Sequence, residues 1–218
     1  MNKVSRNKYP EETENLILEV SLKLFLEKGY DHTTIQDIIN NLGGLTKGAV
    51  YHHFSSKEEI LQAVTDRMFK DNSLSKKWEK TKKAENLSGS EKLVTMLTQA
   101  IEDPQEQQFR TLGINLQNAP HMLCDLLVRS VSEIAPKTFQ PVIEEGVADG
   151  SIKTNHPKEL AQLIAFLANI WINPIVFKMS DEELKGKFEL IAELTKPLGI
   201  DISDVYDALE AMNRSVNK

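Results

Sequence analysis

Residues 46–54, TKGAVYHHF, hold the densest chemistry in the chain. Read as a short helix, Val50 and Phe54 lie four apart and turn inward, which leaves Thr46, Lys47, Ala49, Tyr51, His52 and His53 facing a partner. Lys47 brings positive charge to the helix start, where free backbone amides also attract phosphate. Gly48 and Ala49 permit close approach, and Tyr51 and His52 can bond a phosphate or a base edge. Such a face suits the major groove of DNA. The adjacent His52 and His53 do not read as a metal site, because neighbours on a helix point about 100° apart. His121 and Cys124 at helical spacing, with a distant His156, form the other soft-ligand set; a buried cysteine with surface histidines is the simpler reading. Neither a metal nor a cofactor is expected.

Three short helices must position this face. In the first, Leu16, Ile17, Val20, Leu24 and Phe25 recur at helical spacing between Pro10 and Gly29, and Gly29 is placed as a C-terminal stop. The second starts at Thr33, where Gln36 completes a capping-box pattern, and turns Ile35, Ile38, Ile39 and Leu42 inward. Gly43 and Gly44 lead into the third, from about Thr46 to Phe54. Two helices joined by a glycine-containing turn outline a helix-turn-helix unit. Ser56 with Glu59 opens a fourth helix carrying Ile60, Leu61, Val64 and Met68, which is expected to run toward the lysine-rich Lys76–Lys83, with Trp78 placed to dock that end.

Beyond this point proline sets the rhythm. Ser88 and Glu91 open a helix through Ile101, and Pro104, Pro120, Pro136, Pro141 and Pro157 mark starts or breaks. Residues 148–156 form a polar loop. An apolar helix then covers about 157–177, with Pro174 kinking or ending it, followed by a helix opened by Ser180 and Glu183 and a short final one near 205–212. No run alternates as a strand does, so the fold is expected to be all-α: a three-helix DNA-binding domain (1–57), a connecting helix (58–84) and a helical bundle (85–218).

Composition narrows the function. The 218 residues are 40% apolar and 27% charged, as in an ordinary folded protein. One cysteine excludes an internal disulfide and fits a reducing cytoplasm. Leu160–Phe177 is interrupted by Gln162, Asn169, Asn173 and Pro174 and reads as a buried helix, and the first fifteen residues hold no apolar export signal, so no membrane partner is expected. The net charge of −6 argues against indiscriminate coating of nucleic acid. Residues 1–57, however, carry seven basic and seven acidic side chains, so the remaining 19 against 25 hold the whole deficit. Lys3, Arg6 and Lys8 precede any acid, and Lys47 and Lys57 bracket the third helix. A selective binder follows, touching DNA through a small basic face and an N-terminal arm.

The stretch 33–60, TTIQDIINNLGGLTKGAVYHHFSSKEEI, with the LFLEKGY end of the first helix, resembles the N-terminal domain of the TetR family of bacterial transcriptional regulators. The resemblance implies a homodimer whose two recognition helices enter successive major grooves of a palindromic operator. It also implies a C-terminal pocket whose small-molecule effector moves the heads apart and releases the DNA. Carried over by position, Thr34 and Tyr51 hold phosphates, Thr46, Lys47, Gly48, Ala49 and His52 lie in or beside the groove, and Lys57 fixes the backbone from the fourth helix. LGGLTKG makes the turn look one residue longer than the family's common form. The helices near 157–177 and 181–196 occupy the place of the family's dimerisation pair, although Leu163, Ile164, Leu167 and Ile170 suit a monomer core equally well.

The pocket is less legible. Phe109, Arg110, Asn115, Met122, Phe139, Phe166, Asn169 and Trp171 mix apolar surface with polar groups, and Phe109, Asn169 and Trp171 are the ligand-contact candidates. The function expected is a ligand-released repressor. An activator, or a regulator answering to a protein partner, stays open. An enzyme is not expected, since there is no phosphate loop, no cluster of catalytic acids with a histidine, and no nucleophile beyond a lone Cys124.

Overall fold

The computed structural model describes residues 10–68, 73–104, 107, 115–206 and 208–210. Within these, all regular structure is helical. The described residues up to 68 form one compact unit, and those from 73 onward form a second.

The first unit comprises α1 (Pro10–Lys28), α2 (Ile35–Asn40), α3 (Lys47–His53) and α4 (Lys57–Met68), with α1 packed on α2 and α4. Ile17, Phe25, Ile38, Val50, Ile60 and Leu61 are fully buried and make its core. The α1 stripe differs from the expected one: Leu18 is buried while Leu16 is 41% exposed. The inward face is centred on Ile17, Ser21 and Leu24, one turn apart, and Leu16 falls on its far side. Gly29 ends α1 at φ +81°, and its N–H donates to Phe25 O at 2.9 Å.

The start of α2 is also shifted by one residue. Thr34, not Thr33, is the N-cap, and Asp37, not Gln36, completes the capping box. Thr33 is buried and donates to Gly29 O at 2.8 Å, so its hydroxyl closes the end of α1 and leaves capping to its neighbour.

The second unit holds α5 (Ser73–Lys82), α6 (Gly89–Ile101), α7 (Pro120–Arg129), a π-helical segment (Ser130–Phe139), α8 (Gln140–Asp149), α9 (Pro157–Phe166) with a π-helical continuation (Leu167–Trp171), and α10 (Asp181–Thr195). Short 3-10 turns occupy Leu116–Asn118, Lys196–Leu198 and Ser203–Val205. Ser88 with Glu91 and Ser180 with Glu183 form the capping boxes expected of them. The serine N–H and hydroxyl hold each glutamate below the usual carboxylate range.

Pro120, Pro141 and Pro157 stand in the first turns of α7, α8 and α9, but Pro136 breaks nothing: residues 120–149 run on as one helical stretch. The wider π-helical register around Pro136 accommodates a residue that has no N–H to give. The helix from Pro157 ends at Trp171, short of Pro174. The lysine-rich end of α5 is anchored as expected, since Trp78 Nε1 donates to Met96 O at 3.0 Å. Leu93, Met96, Ile143, Ala161, Ala165 and Leu184 are central in the second core.

Candidate nucleic-acid interface

Position in α3 is fixed from behind. Val50 is fully buried and Phe54 nearly so, and Phe54 N–H donates to Val50 O to close the helix. Gly43 and Gly44, at φ +63° and +105°, turn the chain from α2 into α3. A Cβ at either would meet nothing within 4 Å, so backbone conformation alone requires glycine there. Thr46 is the N-cap, accepting from Ala49 N–H at 3.2 Å.

What remains of α3 faces outward. Thr46, Lys47, Gly48, Tyr51 and His52 are exposed, and Ala49 and His53 are half-buried. Lys47 Nζ lies 5.5 Å from the Tyr51 ring centroid, so the cation and the aromatic ring one turn later share a face. The His52 and His53 rings meet edge to face at 5.4 Å, and His53 leans toward Phe54. Gly48 has room for a side chain, because a Cβ there would approach nothing closer than 3.8 Å. The fold itself does not require glycine at this position.

Two residues at the margin are tied into the scaffold. Thr34 accepts from Asp37 N–H at 3.0 Å and donates both its own N–H, at 3.0 Å, and its hydroxyl, at 2.8 Å, to Asp37 Oδ2; these two donations, with Lys28 beside the carboxylate, hold Asp37 below its usual range. Lys57, at the start of α4, donates to Tyr30 O at 2.9 Å, and its ammonium sits 4.1 Å from that ring's centroid. Partial burial lowers the affinity of Lys57 for its proton, against the opposing pull of Asp31. The Tyr30 hydroxyl is pushed up to about 12 by burial, with Glu58 and Asp31 adding to the effect. Spacing does not reveal this Lys57–Tyr30 clamp, because the partners are 27 residues apart. Residues 1–9, including Lys3, Arg6 and Lys8, lie outside the described residues.

The second unit contains a cavity of about 180 Å³. Of the three contact candidates, Asn169 lines it; Trp171 is not among its lining residues, and Phe109 lies outside the described residues. Trp171 packs against the core from the side, with Lys187 Nζ donating to its carbonyl at 2.9 Å. Trp78, Leu97, Phe139, Phe188 and Thr195 join Asn169 on the wall. Apart from Phe188 and Thr195, which share α10, they come from separate helical segments, so no local motif marks them. Cys124 is exposed, contrary to the buried cysteine expected, because α7 turns it outward while burying Met122. No group of three metal-ligating side chains occurs among the described residues. No described helix is long and apolar enough to cross a membrane.

Helices throughout the described residues, with a core-anchored helix-turn-helix whose third helix turns a polar face outward, are the architecture of a helix-turn-helix DNA-binding protein. Residues 17–64 match the family model of bacterial regulatory proteins of the tetR family. The HTH-type transcriptional repressor KstR2 of Rhodococcus jostii is 28% identical over 166 residues, covering 72% of this chain and 78% of that protein. The HTH-type transcriptional regulator TtgR of Pseudomonas putida is 40% identical over 58 residues, 27% of each chain. The crystal structure of a TetR-family regulator from Pectobacterium atrosepticum shares the fold at a TM-score of 0.59 and 24% identity, covering 89% of this chain and 97% of that one. Residues 17–64 are thus a TetR-family DNA-binding domain, and the chain as a whole is similar to TetR-family transcriptional regulators.

Proposed function

We propose that the protein is a repressor that grips a palindromic operator as a homodimer and releases it when a small molecule occupies the C-terminal cavity. The observation that carries the reading is α3: Thr46, Lys47, Tyr51 and His52 exposed on one short helix whose other side is held by Val50 and Phe54. In this reading residues 1–57 read DNA, 58–84 connect, and 85–218 bind ligand and dimerise in the cytoplasm. Thr34 and Tyr51 meet phosphates, Ala49 lies beside the groove, and Lys57 positions the head by clamping Tyr30. Titrating a palindromic fragment from upstream of its own gene by fluorescence anisotropy tests the reading. Log affinity is expected to fall linearly with log salt and to favour the palindrome over a scrambled duplex. Equal affinity for both duplexes would contradict it.

Gly48 separates reading from folding. A Cβ there finds open space, so Gly48→Ala is expected to leave the melting temperature unchanged or slightly raised, as helix propensity dictates. The same change is expected to weaken operator binding about tenfold, because the added methyl obstructs the close approach of DNA. Paired melting and anisotropy measurements check both halves.

The dimer surface is supported by apolar side chains left in water. Leu163 and Phe166 on α9, and Leu190 and Leu194 on α10, are 38–59% exposed. Gly186 precedes Leu190 and Leu194 at four-residue steps, and a Cβ there would touch nothing. A stripe that the protomer leaves uncovered suits a second copy. Leu163→Asp with Leu194→Asp is expected to give a folded monomer in sedimentation, with operator affinity reduced at least a hundredfold, since each half-site is then bound alone.

A further inference from the structure

We infer that the molecule taken by the C-terminal cavity is small, uncharged and mostly apolar, with one neutral hydroxyl or carbonyl that bonds to Thr195; this rests on the effector reading above. Size comes first. The cavity is about 180 Å³, and an apolar cavity of roughly 150 Å³ admits benzene, so a single ring with a short branch fills it.

Charge comes second. Leu97, Phe139, Leu167 and Phe188 set the character of the wall, and among the described residues no Lys, Arg, His, Asp or Glu lines it. A carboxylate or phosphate would lose its water against this wall and find no cation among the described residues to replace it.

The polar groups complete the case. The Trp78 indole N–H is spent on Met96 O. Asn173 donates to Asn169 O at 3.1 Å and accepts from Ile175 N–H at 3.2 Å, and Asn169 Nδ2 donates to Ala165 O at 3.0 Å. Thr195, the last residue of α10, is only 6% exposed, lines the cavity, and has no hydrogen-bond partner for its Oγ1. Other helical threonines of this chain do satisfy theirs: Thr65, Thr81 and Thr98 donate to the carbonyl four residues back, at 2.8, 3.1 and 3.1 Å. A buried hydroxyl without a partner is costly to keep, and a ligand oxygen in the cavity would complete it.

Three probes share one skeleton and separate these elements: cumene, 4-isopropylphenol and 4-isopropylbenzoate. Binding to the full-length protein is read by tryptophan fluorescence, with Trp78 on the cavity wall, and by thermal shift. The phenol is expected to bind about fivefold or more tighter than cumene, and the benzoate at least about tenfold weaker than the phenol. In Thr195→Val, which keeps the shape and removes the hydroxyl, phenol and cumene are expected to bind equally, with cumene unchanged. The proposal is overturned if the benzoate matches the phenol, if the preference for phenol survives in Thr195→Val, or if none of the three binds. Because binding is read on the protein alone, none of these outcomes bears on the regulator reading, which operator binding without probe tests separately.

Discussion

Lys47→Ala combined with Tyr51→Ala is expected to cut operator affinity roughly a thousandfold while leaving the head folded. Both side chains are exposed and neither fills the core; Tyr51 is 43% accessible. Their mutual contact, ammonium to ring at 5.5 Å, is a surface cation–π pair worth about 0.5–1 kcal/mol, so the melting temperature should hardly move. On DNA the balance reverses. In the proposed complex each protomer would lose a charged contact from Lys47 and a hydroxyl contact from Tyr51, and a dimer would lose both twice. At about 1 kcal/mol apiece the four contacts amount to about 4 kcal/mol, or three decades of affinity. The charge also leaves a signature: removing two lysines from the complex should lower the slope of log affinity against log salt by about 2, whereas Tyr51→Ala alone should leave the slope intact. Anisotropy titrations at three salt concentrations check both. Retention of affinity within threefold would remove α3 from the interface.

The second large effect concerns stability. Gly89→Ala is expected to lower the melting temperature by roughly 6–12 °C, corresponding to about 3 kcal/mol. Gly89 opens α6 directly against α8, and a Cβ there would stand 2.2 Å from Gly146 N and 2.6 Å from Val142 O. Both are backbone atoms and cannot rotate away, so relief requires the two helices to part. Parting them strains a wider seam. Gly89 N–H donates to Asp149 Oδ2 at 2.8 Å, Ser90 Oγ to Gly199 O at 2.7 Å, and Ser90 N–H to Ser151 Oγ at 3.1 Å. Asp149 is held below the usual carboxylate range chiefly by its bond from Ser151, with Gly89 N–H adding, so the seam is polar as well as tight. Calorimetry on the full chain measures the shift; a change below about 1 °C would mean that the seam yields far more readily than its atoms allow.

How far the sequence could be read depended on whether each feature is written locally. Ser88 with Glu91 and Ser180 with Glu183 could be found because an N-cap is chemistry within four residues. The α3 face was legible for the same reason, since Val50 and Phe54 alone decide which side turns in. At Thr33 and Thr34 two equivalent caps stood side by side, and only the carbonyls of Gly29 and Leu24, brought close by the end of α1, drew the first of them away. Pro136 misled because a helix register that widens locally tolerates proline, and that register has no composition of its own. The C-terminal cavity was the least readable feature. Its wall is assembled from α5, α6, α9, both π-helical segments, α10 and the segment after it, so Asn169 could be named while Thr195 and Trp78 could not.

The central claim is that α3 reads the major groove. Dimethyl sulfate protection tests it most directly, because methylation at guanine N7 reports that groove. With the wild-type protein bound to its upstream palindrome, guanine N7 is expected to be protected in two clusters about one helical turn apart, and the protection is expected to vanish with Lys47→Ala and Tyr51→Ala. A fully retarded duplex whose guanine N7 positions all remain reactive would contradict the account.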